Sequence, residues 1–268
     1  MKKILVKGPV LTRSGYGEQS RFALRALRSR PDLYDIHIDP VNWGKTGWLF
    51  ADSEEKKWID SAIGKAAYFN SIEGKYDVSL QITIPNEWEN LAPVNIGYTA
   101  GIETTRVAPD WVNKGNEMNR IIVVSNHSKV VYEETSFTVT NNETKEVIES
   151  DYKCKTPIDV VGYPVRKFNP ADVDVSLDYD FNFLVVSQWG IRKNIENTIT
   201  WFVEEFKNEK VGLVLKINII KNSVIDRGHT LKRLKDLLRK HEDRKCKIYL
   251  LHGCLLYTSD AADDLLCV

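Results

Sequence analysis

Residues 181–206, FNFLVVSQWGIRKNIENTITWFVEEF, decide the fold. Phe183 to Val186 is a short apolar run rich in β-branched residues, which predicts a buried strand. Ser187 to Lys193 is a turn with one glycine and two adjacent cations, Arg192 and Lys193. From Asn194 onward, Ile195, Ile199, Phe202 and Phe206 recur at helical spacing, with Asn194 placed to be the N-cap. The unit is strand, loop, helix. A helix start offers free N–H groups and a partial positive charge, so two cations beside it suit a diphosphate. An ordinary βα unit with solvated cations would look the same.

The pattern repeats towards the amino terminus. Lys3 to Val6 predicts a strand, Gly8 to Gly17 a loop, Glu18 to Arg28 a helix and Tyr34 to Ile38 a second strand, a Rossmann-type opening. The loop carries Ser14-Gly15-Tyr16-Gly17, whose glycines permit positive φ and close approach to a ligand. Residues 40–75 offer no readable element. Trp43, Trp48 and Trp58 there serve either as loop anchors over the core or as an acceptor-cleft lining. Tyr76 to Ile84 alternates as a strand and ends at Pro85. Asn95 to Thr99 is a strand leading to a polar loop with Glu103, Thr104, Thr105 and Arg106. A helix follows over Pro109 to Met118, then the strand Ile121 to Val124, ended by Ser125. Ligands of open α/β sheets gather at the carboxyl ends of strands, where Glu103, Arg106 and Ser125 fall. Glu103 and Arg106 would equally make a local surface pair, and His127 reads as a helix-start residue.

Thr138 to Thr156 reads as a hairpin or insertion, and Ile158 to Val161 as the last strand of a first domain. Prolines at 164 and 170 stiffen the crossing to a second. Beyond the opening stretch, Leu213 to Ile220 and Lys247 to Leu251 are strands, and Thr230 to Lys240 is an amphipathic helix.

Composition bounds the function. The 268 residues hold 37 acidic and 37 basic side chains, which gives no electrostatic case for nucleic acid. No apolar run approaches the roughly 18 residues of a spanning helix, and peripheral membrane contact stays open. Cys154, Cys246, Cys254 and Cys267 show no paired spacing, and no metal-ligand cluster is seen, so neither a zinc site nor a disulfide framework is expected. A cytoplasmic setting follows as the default.

VSQWGIRKN followed by an amphipathic helix resembles the phosphate-binding opening of the second domain in retaining, two-Rossmann-domain (GT-B) glycosyltransferases of the glycosyl-transferases-group-one type. The resemblance spans roughly residues 1–253. It implies an α/β fold of two Rossmann-like domains. Residues 1–165 would be the acceptor-side domain, 166–180 the crossing and 181–253 the first part of the nucleotide-sugar-binding domain. The ending from Cys254, CLLYTSDAADDLLCV, resembles a translated sequencing adapter, so 254–268 is expected to be a non-native tail and the second domain incomplete. Two further βα units and the family's Glu-x7-Glu segment would come next. Without them an apolar sheet edge should be exposed, favouring aggregation, and the fragment itself should be inactive.

By the same resemblance Lys193 and Arg192 stabilise the leaving diphosphate, with Gln188 standing where the family has arginine and Asn194 completing its Lys-Asn variant. Gly15, Tyr16, Gly17 and Ser125 would lie beside the donor phosphates. Glu103 would orient the acceptor hydroxyl, with Arg106 and Thr104 on the acceptor side. The implied activity is transfer of a sugar from a nucleotide-diphosphate donor to a carbohydrate, lipid-linked or protein acceptor, without a cofactor or metal. The alternatives are a non-catalytic sugar- or nucleotide-binding module and a phosphorylase or epimerase on the same architecture. Gly15-x-Gly17-x-x-Ser20, with Asp39 about 20 residues on, leaves an NAD(P)-binding Rossmann protein as a further one.

Overall fold

The computed structural model describes residues 1–44, 46–49, 52–165, 175–220 and 223–253, and the backbone of 265–267. The chain divides into two compact units, Met1–Gly44 with Trp48–Arg166, and Lys45–Gly47 with Lys167–Val268. The expected crossing at 166–180 falls in part outside the described residues, as does most of the tail from 254.

The first unit is a mixed α/β body on a six-stranded parallel sheet. Its strands are β1 (Lys2–Gly8), β2 (Tyr34–Pro40), β3 (Val78–Gln81), β4 (Val94–Thr99), β5 (Arg120–Val123) and β8 (Ile158–Val160), in the order β2-β1-β3-β4-β5-β8. Its helices are α1 (Gly15–Arg28), α2 (Glu54–Ser71), α3 (Pro109–Asn116) and α4 (Asn126–Glu134), with a 3₁₀ turn at Pro85–Glu87. Ile4, Val6, Ile36, Ile38, Leu80 and Ile82 form one apolar cluster with Leu24 of α1 and Ile59 and Ala62 of α2. Trp88, Val112, Ile121, Val123, Val131 and Tyr132 form another. The chain leaves β1 for β2 on one side and returns to β3 on the other. The loops after β1 and β3 therefore diverge, and that switch point is where an open sheet offers a crevice.

Helix α2 lies where the sequence shows no element. Only Ile59, Ala62 and Ala66 of its 18 residues are buried, so its apolar stripe is carried largely by alanines. The charged stretch after Ser136 is an antiparallel hairpin, β6 (Ser136–Thr140) with β7 (Val147–Lys153), as expected. The loop after β3 is tied down by side-chain hydrogen bonds as well as by the buried Ile82 and Trp88. Gln81 exchanges hydrogen bonds with the Glu89 backbone at 2.6 and 2.9 Å. Asn95 Oδ1 accepts from the N–H groups of Leu91 and Ala92.

The second unit holds β9 (Asn182–Gln188), α5 (Ile195–Phe206), β10 (Gly212–Asn218), α6 (Val224–Leu238), β11 (Lys247–Leu251) and β12 (Leu265–Cys267). The sheet order is β12-β11-β10-β9, with β9, β10 and β11 parallel and β12 antiparallel to β11. Leu213, Leu215, Ile217, Ile248 and Leu250 meet Ile195, Ile199, Phe202 and Val203 of α5 and Leu234 and Leu238 of α6. Strand side chains alternate between faces, so Val214, Tyr249 and Leu251 lie on the opposite face, with Leu177 against them. The backbone of residues 265–267 pairs with β11. Among the described residues β9 has a partner strand on one side only.

Candidate functional site

In the first unit the glycine loop and the N-terminus of α1 stand at the carboxyl end of β1. Ser14 caps α1, its Oγ accepting from Gly17 N at 2.9 Å. Gly15 and Gly17 are helical and neither has positive φ, which corrects the conformational reason expected for them. A Cβ on Gly15 would meet nothing within 4 Å. One on Gly17 would come within 2.7 Å of Thr12 Oγ1 and 2.9 Å of Pro9 O, and closer still to Thr12 O. Gly17 thus lets the helix approach its own preceding loop. Arg21, buried beneath, fixes that loop by donating to Val10 O at 2.8 Å and Thr12 O at 2.9 Å.

Tyr16 is committed to the fold as well. Its hydroxyl pairs with Thr99 Oγ1 at 2.9 Å and accepts from Ala100 N at 3.1 Å, joining α1 to the end of β4, while Trp43 packs on its ring with centroids 4.4 Å apart. Burial raises the pKa of this phenol. Ser125 is the N-cap of α4, accepting from Ser128 N at 3.1 Å. Gly101 beside it has φ +79°, and a Cβ there would strike the Ser128 hydroxyl. The loop from 100 to 108 exposes Glu103, Thr104 and Arg106. Thr104 Oγ1 donates to Arg106 O at 2.9 Å. Arg106 reaches away to the hairpin, donating to Ser136 O at 2.6 Å and lying over the Phe137 ring. His127, the second residue of α4, meets Thr104 O at 3.2 Å. Tyr16, Ser125, Thr104 and Arg106 therefore have structural partners within this unit. Thr83 at the same end of the sheet went unnoticed in the sequence; its hydroxyl is buried without a hydrogen-bond partner among the described residues.

In the second unit the turn after β9 is tighter than a plain loop. Ile191–Lys193 forms a 3₁₀ turn, and Asn194 adopts the left-handed conformation, φ 52° and ψ 38°. The N-cap expectation for Asn194 is corrected in one respect. It occupies the cap position and its C=O accepts from Thr198 N at 3.1 Å, but its side chain bonds no backbone N–H. Asn194 Oδ1 instead accepts from Asn197 Nδ2 at 2.9 Å. An αL backbone turns the side chain away from the first-turn N–H groups, and asparagine tolerates that conformation. Helices α1, α2, α4 and α6 each have a serine hydroxyl bonded to a first-turn N–H. The first turn of α5 has no side-chain cap.

Beside that turn lies a pocket of about 280 Å³ lined by Trp189, Gly190, Ile191, Asn194, Ile195, Glu196 and Arg233. Arg233 comes from α6, stacks 4.8 Å from the Trp189 ring and pairs with Glu196 at 2.6 Å. Sequence reasoning missed it, because only the crossing of α6 over α5 brings it to this mouth. Lys193 is exposed at the end of the 3₁₀ turn, and no carboxylate among the described residues pairs with its ammonium. Arg192 is exposed beside it. Gln188 is spent on the fold, its Nε2 donating to Ile219 O at 2.8 Å.

Among the described residues, no three His, Cys, Asp or Glu side chains converge as a metal site, and no helix is long and apolar enough to cross a membrane. Neither a scan against protein-family models nor a search of curated proteins returns a match to this sequence.

Proposed function

We propose that the chain binds a nucleoside-diphosphate sugar through the mouth of α5 and serves glycosyl transfer from that donor to an acceptor hydroxyl. The observation that carries this reading is the uncapped first turn of α5 with the Lys193 ammonium beside it. Free N–H groups at a helix start, together with a lysine, stabilise the charge that grows on a diphosphate as the glycosidic bond breaks. Arg233 adds a second cation at the pocket, and displacement of Glu196 by a phosphate would free it. Lys193 and Arg192 are the proposed leaving-group stabilisers. Glu103 is the proposed acceptor-orienting carboxylate on the first unit, and the α1 mouth at Gly15 the proposed seat for donor phosphates there. Two Rossmann-like domains working together in the GT-B manner belong to this proposal, as does a cytoplasmic setting.

The test is isothermal titration of the full chain with UDP, GDP, ADP and their hexose conjugates, followed by assays for transfer and donor hydrolysis. Lys193→Ala should weaken binding about 10-fold or more, the worth of one charged hydrogen bond, and lower any turnover by orders of magnitude. Absence of binding by every nucleoside diphosphate, or undiminished turnover in Lys193→Ala, removes the proposal. Gln188, bonded to Ile219 O where the resembled family has arginine, favours a second reading, a non-catalytic nucleotide-sugar-binding module. Binding without transfer or hydrolysis would select it.

A further inference from the structure

We propose that β9 is a self-pairing edge through which two copies of this chain join, antiparallel, about a two-fold axis at Val185. The backbone parity settles which groups are open. Phe181 O accepts from Gly212 N at 3.1 Å, and Trp189 N donates to Asn218 O at 2.7 Å. The odd residues of β9 therefore bond to β10. The N–H and C=O groups of Asn182, Leu184, Val186 and Gln188 point to the open edge.

The strand has none of the usual protection. NFLVVSQ contains no charge and no proline, and charge, proline and bulges are how proteins keep edges from pairing. Leu184 and Val186 are 65 % and 70 % exposed. Both lie on the face that α5 and α6 leave uncovered, since Leu184 is level with Val214 and Val186 with Lys216. A two-fold at Val185 sets Asn182 opposite Gln188 and Leu184 opposite Val186. All four outward residues then become hydrogen-bonded pairs, and the two exposed apolar side chains meet across the strands.

Charge selects a second copy as the occupant. Asp178 and Asp180 precede the strand, and Arg192 and Lys193 follow it. Antiparallel pairing brings the acidic end of each copy to the basic end of the other. Asp178 is already held by Lys247 at 2.8 Å, so Asp180 is the carboxylate offered across the axis, level with Gly190 and next to Arg192. Parallel pairing would bring like charges together. The interface is closed, because each edge is used once.

Sedimentation velocity of the full chain over a wide concentration range tests this. A reversible monomer–dimer equilibrium is expected, with no larger species. Leu184→Lys should raise the dimer dissociation constant about 10-fold or more, because the symmetry counts each change twice. Val186→Pro should do the same by deleting an outward N–H that no neighbour among the described residues uses. Asp180→Lys should weaken the dimer, and Asp180→Lys with Arg192→Asp should restore it. Circular dichroism confirms that each variant keeps its fold. A monomer at every concentration, open-ended oligomers, or a dimer indifferent to Leu184→Lys and Val186→Pro would overturn the proposal.

Discussion

Two glycines two residues apart, Gly15 and Gly17, should respond oppositely to the same substitution. Alanine is favoured over glycine inside a helix by up to about 1 kcal/mol, and less at the first turn. Gly15→Ala places its methyl in open space, so it should be neutral or stabilising by about 0.5 kcal/mol. Gly17→Ala drives the methyl into the carbonyl of Thr12 and to within 2.9 Å of Pro9 O. The Thr12 carbonyl cannot retreat freely, because Arg21 donates to it from a buried position. Overpacking of this kind costs about 3 kcal/mol, which outweighs the propensity gain and leaves a net loss of about 2 kcal/mol. For a unit of this size that loss should lower Tm by about 4–8 °C. Thermal and urea unfolding of the two variants read it directly. If Gly17→Ala is as stable as Gly15→Ala but loses ligand binding, the glycine serves a ligand and the packing argument is wrong.

Other variants probe separate contacts. Gly97→Ala should cost about 3 kcal/mol, because the new methyl meets the buried indole of Trp88 at 2.5 Å; urea midpoints check it. Arg21→Met should destabilise by about 3 kcal/mol by leaving the Val10 and Thr12 carbonyls without their donor, and should speed proteolysis of the 9–14 loop. Stability should fall as pH drops. Burial is the first cause holding both His252 and His37 below the ordinary imidazole value, against the pull of Asp226 and Asp35. The fold favours neutral rings, so their contribution is complete above the unfolded value of about 6.5 and is lost as pH falls toward the lower folded values. Denaturation series at pH 7.5 and 5.5 should show the loss, and His252→Gln should reduce its slope. Cys246 is buried, and burial raises its thiol. It should resist an aromatic disulfide reagent in the native protein and react after unfolding.

The strands were legible where apolar runs were dense, but their burial was not: Phe183 to Val186, expected as a buried strand, lies in β9 with Leu184 and Val186 exposed. Lys247 to Leu251 coincides with β11 end to end, and the amphipathic spacing from Ile195 to Phe206 gives α5. Helix α2 was hidden because alanines at 62 and 66 carry its buried stripe, and alanine gives hydropathy little contrast. Helix α6 begins at Val224, earlier than its leucine pattern implies. Its first turn is built on polar groups instead, with Ser223 capping Asp226 N and the Asp226 carboxylate accepting from Ile220 N. Site residues were legible as types and positions but not as commitments. The sequence places Ser125 at a strand end, where ligands collect, and Tyr16 in the glycine loop, and only the hydrogen bonds show that Thr99, Ala100 and Ser128 already use them. Arg233 lay some 40 residues from the motif it joins, beyond any local spacing argument.

Those commitments distinguish the two strand-to-helix mouths. At α1 the Ser14 hydroxyl takes a first-turn N–H, Arg21 takes the loop carbonyls, and Gly17 closes the remaining gap. The polar groups of that mouth largely satisfy one another, so an anion arriving there must compete with the fold. At α5 the Asn194 side chain turns aside, the first turn lacks a cap, and Lys193 meets no carboxylate among the described residues. An anion arriving there meets an uncapped first turn and the exposed Lys193, and at Glu196 it would exchange that residue's bond to Arg233 for its own. If both mouths bind phosphate, the second should therefore dominate affinity. Lys193→Ala should then weaken a nucleoside diphosphate far more than Ser14→Ala, whose main effect should be a loss of about 1 kcal/mol in the stability of α1. Equal losses of affinity from the two substitutions would contradict this ordering.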